Sequence, residues 1–268
     1  MTLARTQASI VRYIDSGGLS LALETRGTGP RSLLFLHGWI GSRRMFYEVA
    51  ERLDLAAFTL HLLDFRGAGS SDRPAHGYDC AGYASDVRAA LAAIGGRVEI
   101  VGHSAGGKIA QYVALDPPHN LKRLILVATA TAKAPPDLAG HRELATAAFG
   151  SRIRIERFQR AAMFREIAPD AMERLIDDAL VAQREAWFDW YDHGRREDFF
   201  DRLGAIATPT IVVAGDRDVL APVARLRRDV AAAIPGAVLV TFKLAGHNIP
   251  VERPVELAAL LTKIGKPL

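Results

Sequence analysis

The pentapeptide Gly102-His103-Ser104-Ala105-Gly106 constrains this chain more than any other stretch, because of what flanks it. Before it runs Arg97-Val98-Glu99-Ile100-Val101, a short β-branched segment that reads as a strand. After it, Gly107 to Leu115 carries apolar residues at helical spacing. A serine on a tight strand-to-helix turn sits in a strained backbone conformation, with its hydroxyl pushed out above the sheet edge. Glycines are needed on either side because a side chain there would collide with the neighbouring strand and helix. Ser104 is therefore the candidate nucleophile.

The rest of the chain supplies a framework for such a turn. Ile10–Ile14 and Leu19–Glu24 alternate around the turn Asp15-Ser16-Gly17-Gly18 and read as a hairpin. Leu33–Leu36 is apolar without interruption, which predicts a strand covered on both faces, as in a parallel sheet. Helical and strand patterns then alternate: Met45–Leu53 helix, Phe58–Leu63 strand, Tyr83–Ile94 helix, Val98–Val101 strand, Ile109–Leu115 helix, Leu124–Val127 strand. The order predicts an α/β fold, a mostly parallel central sheet flanked by helices. From 133 to 207 only helical periodicity remains, in Asp137–Phe149, Ile153–Ile167, Ala171–Ala182 and Glu185–His193. Alternation resumes with Thr210–Ala214, Val223–Ile234, Val238–Phe242 and Val255–Ile264. The expected division is a core domain of residues 1–132 and 208–268, with a helical cap at 133–207 inserted over the carboxyl edge of the sheet.

Composition narrows the function classes. With 268 residues, 49% of them hydrophobic and 24% charged, the chain is an ordinary globular protein with room for a large core. No run approaches the roughly 18 apolar residues of a membrane span. Met1–Gln7 lacks the apolar core of a secretory signal, and the single cysteine, Cys80, permits no internal disulfide, so a cytoplasmic location is the default expectation. The net charge of +4 is spread along the chain without a basic-aromatic run, which argues against nucleic-acid binding. His and Cys are not clustered at metal-ligand spacing, so no metal is expected.

A serine hydroxyl needs a base to take its proton, and that base needs a third group to orient it. Asp218 and His247 lie just after the resumed strands, so all three candidates fall past strand carboxyl ends, where open α/β sheets bind ligands. Asp216 competes as the acid, but its closeness to the strand favours a structural ion pair with Arg217. His103, next to the serine, is expected to point away and pack. His61 reads as a satisfied core or edge residue, and His76, His119, His141 and His193 as surface residues.

With this order of Ser, Asp and His, the chain resembles the α/β-hydrolase superfamily over nearly its whole length. His37-Gly38-Trp39 is similar to the family's oxyanion loop, and Asp64-Phe65-Arg66-Gly67-Ala68-Gly69-Ser70-Ser71 to its glycine-rich turn. Gly215–Asp218 and Gly246-His247 match its acid and histidine loops. The resemblance implies that His247 is the general base, Asp218 its orienting acid, and the backbone N–H groups of Trp39 and Ala105 the oxyanion hole. His37 is expected to shape the oxyanion loop, and Asp64 and Arg66 to tie the glycine turn together.

The implied activity is that of a serine hydrolase acting on a carboxylic ester with an apolar or aromatic acyl group, without a cofactor. Carbon–carbon hydrolysis of dienoic or diketo acids, amidase, lactonase or perhydrolase chemistry, and a capped small-molecule receptor with slow turnover are the alternatives. Trp187, Trp190, Tyr191 and Phe158 are candidate pocket residues; of Trp187, Phe188, Trp190 and Tyr191, which fall on more than one helix face, about two are expected to line the pocket and the others to pack the cap. Arg152, Arg154, Arg157 and Arg160 read as a solvated helix face, with an anionic carrier or an acidic substrate as the sharper alternative. Substrate identity and oligomeric state are not encoded in any pattern of this sequence.

Overall fold

Eight strands form one sheet in the computed structural model, which describes residues 9–135 and 141–264. In chain order they are β1 (Ile10–Ser16), β2 (Leu19–Arg26), β3 (Arg31–Leu36), β4 (Phe58–Leu63), β5 (Val98–His103), β6 (Leu121–Val127), β7 (Thr210–Gly215) and β8 (Val238–Phe242). Their order across the sheet is β1-β2-β4-β3-β5-β6-β7-β8. Only β2 runs antiparallel to its neighbours; the other pairings are parallel, as the α/β alternation requires.

The helices are α1 (Tyr47–Ala50), α2 (Cys80–Ile94), α3 (Ala105–Ala114), α4 (His141–Ala147), α5 (Arg152–Ala162), α6 (Pro169–Leu180), α7 (Arg184–Asp192), α8 (Val223–Leu226), α9 (Ile249–Glu252) and α10 (Pro254–Lys263). Side chains of successive strand residues face opposite ways, so an unbroken apolar strand must bury both faces. Leu34 and Leu36 of β3 join Val87 and Leu91 of α2 and Ile109 and Val113 of α3 in one core. Leu33 and Phe35 join Val49 of α1 and Leu257 and Leu261 of α10 in the other. A third cluster, around Ile155, Met172, Ile176 and Trp187, is internal to the helices between β6 and β7 and takes in Ile40 from the loop after β3.

Several boundaries depart from the sequence reading. Helix α2 begins at Cys80 because the Asp79 carboxylate caps it, accepting the Gly82 N–H at 2.7 Å. The helix expected over 45–53 is a 3₁₀ turn, Arg43–Phe46, started by Ser42 and followed by the short α1. The one expected over 153–167 stops at Ala162, where the N–H groups of Phe164 and Arg165 turn to the Glu252 carboxylate. Over 223–234 the chain widens after α8 into π-type turns, with Leu226, Val230 and Ile234 still buried. Residues 1–7 and 137–140, and the side chain of His141, on which other expectations fell, lie outside the described residues.

Buried charge ties the loops at the carboxyl edge to the core. Asp64 holds the glycine turn as expected, accepting the Ser70 N–H at 2.9 Å and pairing with Arg43. Arg66 does something different. It pairs with Asp86 of α2, whose fully buried carboxylate accepts Nη2 at 2.6 Å, Nε at 2.9 Å and the Ser16 hydroxyl at 3.0 Å. The turn is thereby pinned to α2 and to the end of β1. Removing one member of a buried pair strands the other charge without a partner. Asp86→Ala should therefore lower the unfolding free energy by about 3–5 kcal/mol, measured by urea denaturation.

Candidate active site

The sheet topology brings four loops together at one edge. Ser104 follows β5, His37-Gly38-Trp39 follows β3, and Asp218 and His247 follow β7 and β8. Ser104 takes φ 50° and ψ −114°, a region that side-chain-bearing residues rarely adopt. The close packing that enforces this is visible at its flanking glycines. A Cβ on Gly106 would stand 2.4 Å from the Leu36 carbonyl oxygen, and one on Gly102 2.7 Å from the carbonyl oxygen of Gly106.

Ser104, His247 and Asp218 form one hydrogen-bonded chain. His247 Nε2 lies 3.0 Å from Ser104 Oγ, and His247 Nδ1 lies 2.9 Å from Asp218 Oδ2. Asp218 also accepts the backbone N–H groups of Leu220 and Ala221, each at 2.8 Å. Burial alone would raise the Asp218 pKa, but the nearby imidazole and these hydrogen bonds hold it below the ordinary carboxylate value. Burial pushes His247 the opposite way, and the Asp218 charge and hydrogen bond outweigh it, keeping the imidazole pKa above its usual position. An ionised Asp218 accepts a hydrogen bond from Nδ1–H, which leaves Nε2 free to accept from the serine hydroxyl.

The other histidines and the competing acid separate clearly. Asp216 accepts the Leu244 N–H at 2.6 Å and lies 3.9 Å from Arg217, serving the loop backbone. His37 Nδ1 donates to the Gly38 carbonyl at 2.8 Å, and its Nε2 accepts the Phe65 N–H at 3.1 Å. His103 does not point away from the site. Its ring lies 5.2 Å from that of His247, and its Nε2 reaches the His247 carbonyl oxygen at 3.0 Å. Burial depresses its pKa to about 3, so it packs there as a neutral ring. His61 meets Thr25 Oγ1 at 3.1 Å, while His76, His119 and His193 are exposed. Cys80 is buried, and burial pushes its thiol pKa well up.

Two placements had no signal in the sequence. Glu252 is buried and gathers four backbone N–H groups: Gly246, Phe164 and Arg165 on one oxygen and Asn248 on the other, at 2.9–3.1 Å. It thus holds the His247 loop against the chain leaving α5, where the His247 N–H also donates to the Ala162 carbonyl at 2.9 Å. Lys108, fully buried in α3, donates to the carbonyls of Arg195 and Glu197 at 2.7 and 2.6 Å. A glutamate and a lysine on helices are ordinarily surface residues, and only their partners reveal otherwise.

Ser104 opens on a cavity of about 170 Å³ between the sheet edge and the helices that follow β6. Trp190, Tyr191 and Phe158 line it together with Trp39. Trp187 does not. It is fully enclosed, donates its indole N–H to the Ala145 carbonyl at 3.0 Å, and borders a neighbouring void of about 30 Å³. Phe188 packs on Phe149 at 5.4 Å. The oxyanion-loop expectation can be located as well. A Cβ on Gly38 would come 3.3 Å from that of Ser104, so the Gly38-Trp39 backbone lies against the serine. Ala105 opens α3, where the first N–H groups have no acceptor within the helix. The four arginines of α5 are exposed. Arg152 pairs with Glu173 and Asp177 at 2.6 and 2.7 Å, and Arg160 with Glu156 at 2.8 Å. Among the described residues, no group of three or more His, Cys, Asp or Glu is placed to hold a metal, and no helix is long and apolar enough to cross a membrane.

Comparison with known proteins agrees with this architecture. The family model described as the alpha/beta hydrolase fold matches residues 31–164. A pimeloyl-acyl-carrier-protein methyl ester esterase of Chromobacterium violaceum is 32% identical over 85% of this chain and 91% of its own length. An alpha/beta-hydrolase superfamily protein of Bacillus subtilis is 28% identical over 91% of this chain and 95% of its own. Among solved structures, an esterase from Exiguobacterium antarcticum superposes with a TM-score of 0.86 at 23% identity, covering 95% of this chain and 99% of its own. The chain belongs to the α/β-hydrolase superfamily.

Proposed function

We propose that this protein is a serine hydrolase that cleaves a carboxylic ester through an acyl-serine intermediate. The observation that carries the reading is the 3.0 Å and 2.9 Å chain from Ser104 through His247 to Asp218, set at a strained turn that opens on a cavity. The esterase among its relatives, 32% identical, supports the same reaction class. Residues 133–207 act as a cap on a core of 1–132 and 208–268, and their aromatic side chains Phe158, Trp190 and Tyr191 would face the hydrocarbon part of the substrate.

In the first step His247 Nε2 takes the Ser104 proton as Oγ attacks the ester carbonyl. The negative charge that develops on the carbonyl oxygen is met by the backbone N–H groups of Ala105 and Trp39, a contribution of about 3–4 kcal/mol per donor at such sites. Asp218 stabilises the imidazolium formed meanwhile. The proton then passes to the departing alkoxide, the C–O bond breaks, and the acyl group remains on Ser104. Water, deprotonated by the same imidazole, releases the acid and restores the hydroxyl.

Two measurements test this. Ser104→Ala should reduce kcat on a p-nitrophenyl ester by at least about 10⁴-fold and abolish fluorophosphonate labelling. Full activity in that variant would overturn the assignment, and labelling of the unaltered chain with vanishing turnover would favour a receptor. The pH dependence follows from the raised His247 pKa. Catalysis requires the neutral imidazole, so kcat/KM should be high at alkaline pH and fall with acid. The midpoint should lie above the ordinary imidazole value of about 6.5, and a profile flat from about pH 5 to 8 would remove His247 as the base.

A further inference from the structure

We propose that the cavity beside Ser104 contains an anion subsite built by Arg195 and Arg225, so that the ester taken by this protein carries a free carboxylate. The inference rests on the serine-hydrolase reading for its ester and on the cavity for its charge. Among the described residues, apart from the two histidines at the serine, Arg195 and Arg225 are the only ionisable cations lining that cavity, and no Asp or Glu lines it. Neither arginine forms an ion pair among the described residues, whereas Arg43, Arg44 and Arg66, elsewhere around this edge, are each matched to a carboxylate.

The two side chains are held rather than free. The Arg195 guanidinium stacks over the Tyr191 ring, 4.1 Å from its centroid, and its own carbonyl is fixed by the buried Lys108 ammonium at 2.7 Å. Its Nε is buried without a hydrogen-bond acceptor. Arg225, on α8, is steadied by a 3.3 Å bond from Nη1 to the Leu220 carbonyl, in the loop that also carries Asp218. A buried guanidinium N–H without an acceptor is costly, and two cations lining one cavity, neither in an ion pair among the described residues, attract an anion. The planar fork of arginine matches a carboxylate through two parallel hydrogen bonds. Trp39, Phe158 and Trp190, which line the same cavity, suit the hydrocarbon between the carboxylate and the ester.

The test is calorimetric titration of the Ser104→Ala chain, which cannot turn the ligand over, with two matched pairs of esters. Monomethyl adipate against dimethyl adipate places the charge on the acyl side. 4-Acetoxybutanoate against its methyl ester places it on the alcohol side. In at least one pair the anion should bind about tenfold or more tightly than its neutral counterpart, with affinity falling as salt is added. Adding Arg195→Gln or Arg225→Gln should erase most of that difference, and Arg195→Lys should restore only part of it. Equal binding within both pairs, no binding of either anion, or a preference untouched by both arginine substitutions would overturn the subsite. Ester turnover by the unaltered chain is read separately. Its absence would count against the serine-hydrolase reading while leaving the binding result standing.

Discussion

The backbone of Ser104 is held where an unconstrained chain would not go, and the arrangement of the edge follows from that confinement. Its N–H donates to the Val127 carbonyl at 3.0 Å, and its carbonyl accepts from Gly107, Lys108 and Ala130. Strand β6, helix α3 and the segment after β6 thus fix the residue from three directions. A left-handed serine costs roughly 1–3 kcal/mol, a cost offset by the two-sided core that locks β5 between β3 and β6. Because the backbone of Ser104 is fixed, the loops after β7 and β8 bring Asp218 and His247 to a stationary target.

Buried charge does the corresponding work between the sheet and the helices after β6. Asp178 of α6 accepts the Ser42 hydroxyl at 2.6 Å and Arg44 Nε at 2.8 Å, and Arg174 pairs with Glu48. Lys108 and Glu252 extend the same principle to backbone groups, replacing lost water with several short hydrogen bonds each. Apolar contact alone tolerates sliding, whereas these bonds specify position. The helices after β6 are therefore registered against the sheet edge at several separate points.

The sheet was legible because its strands announce themselves. Leu33–Leu36 and Ile211–Ala214 are uninterrupted apolar runs, and a run of that kind has few other uses in a globular chain. The serine, acid and histidine were legible for a related reason: each stands a few residues past a segment that reads as a strand. Helix ends were less so. The early stop of α5 depends on Glu252, almost ninety residues downstream, and the outward-reading Lys108 is interior only because 195–197 closes over it. The aromatic cluster of α7 was visible as composition but not as geometry. Trp187 and Trp190 differ in role through a rotation around the helix that spacing alone left open. Arg195 and Arg225 share a cavity without sharing a pattern.

The bonds between the His247 loop and the end of α5 bear on traffic through the cavity. His247 is joined through its own N–H to Ala162, and Glu252 clasps Gly246 and Phe164 with a single oxygen. If α5 swung outward as a hinged door, it would drag the imidazole away from the hydroxyl it meets at 3.0 Å. Under the proposed hydrolase reading, ligand exchange with the relay intact requires a doorway elsewhere along the roof, away from this shared post.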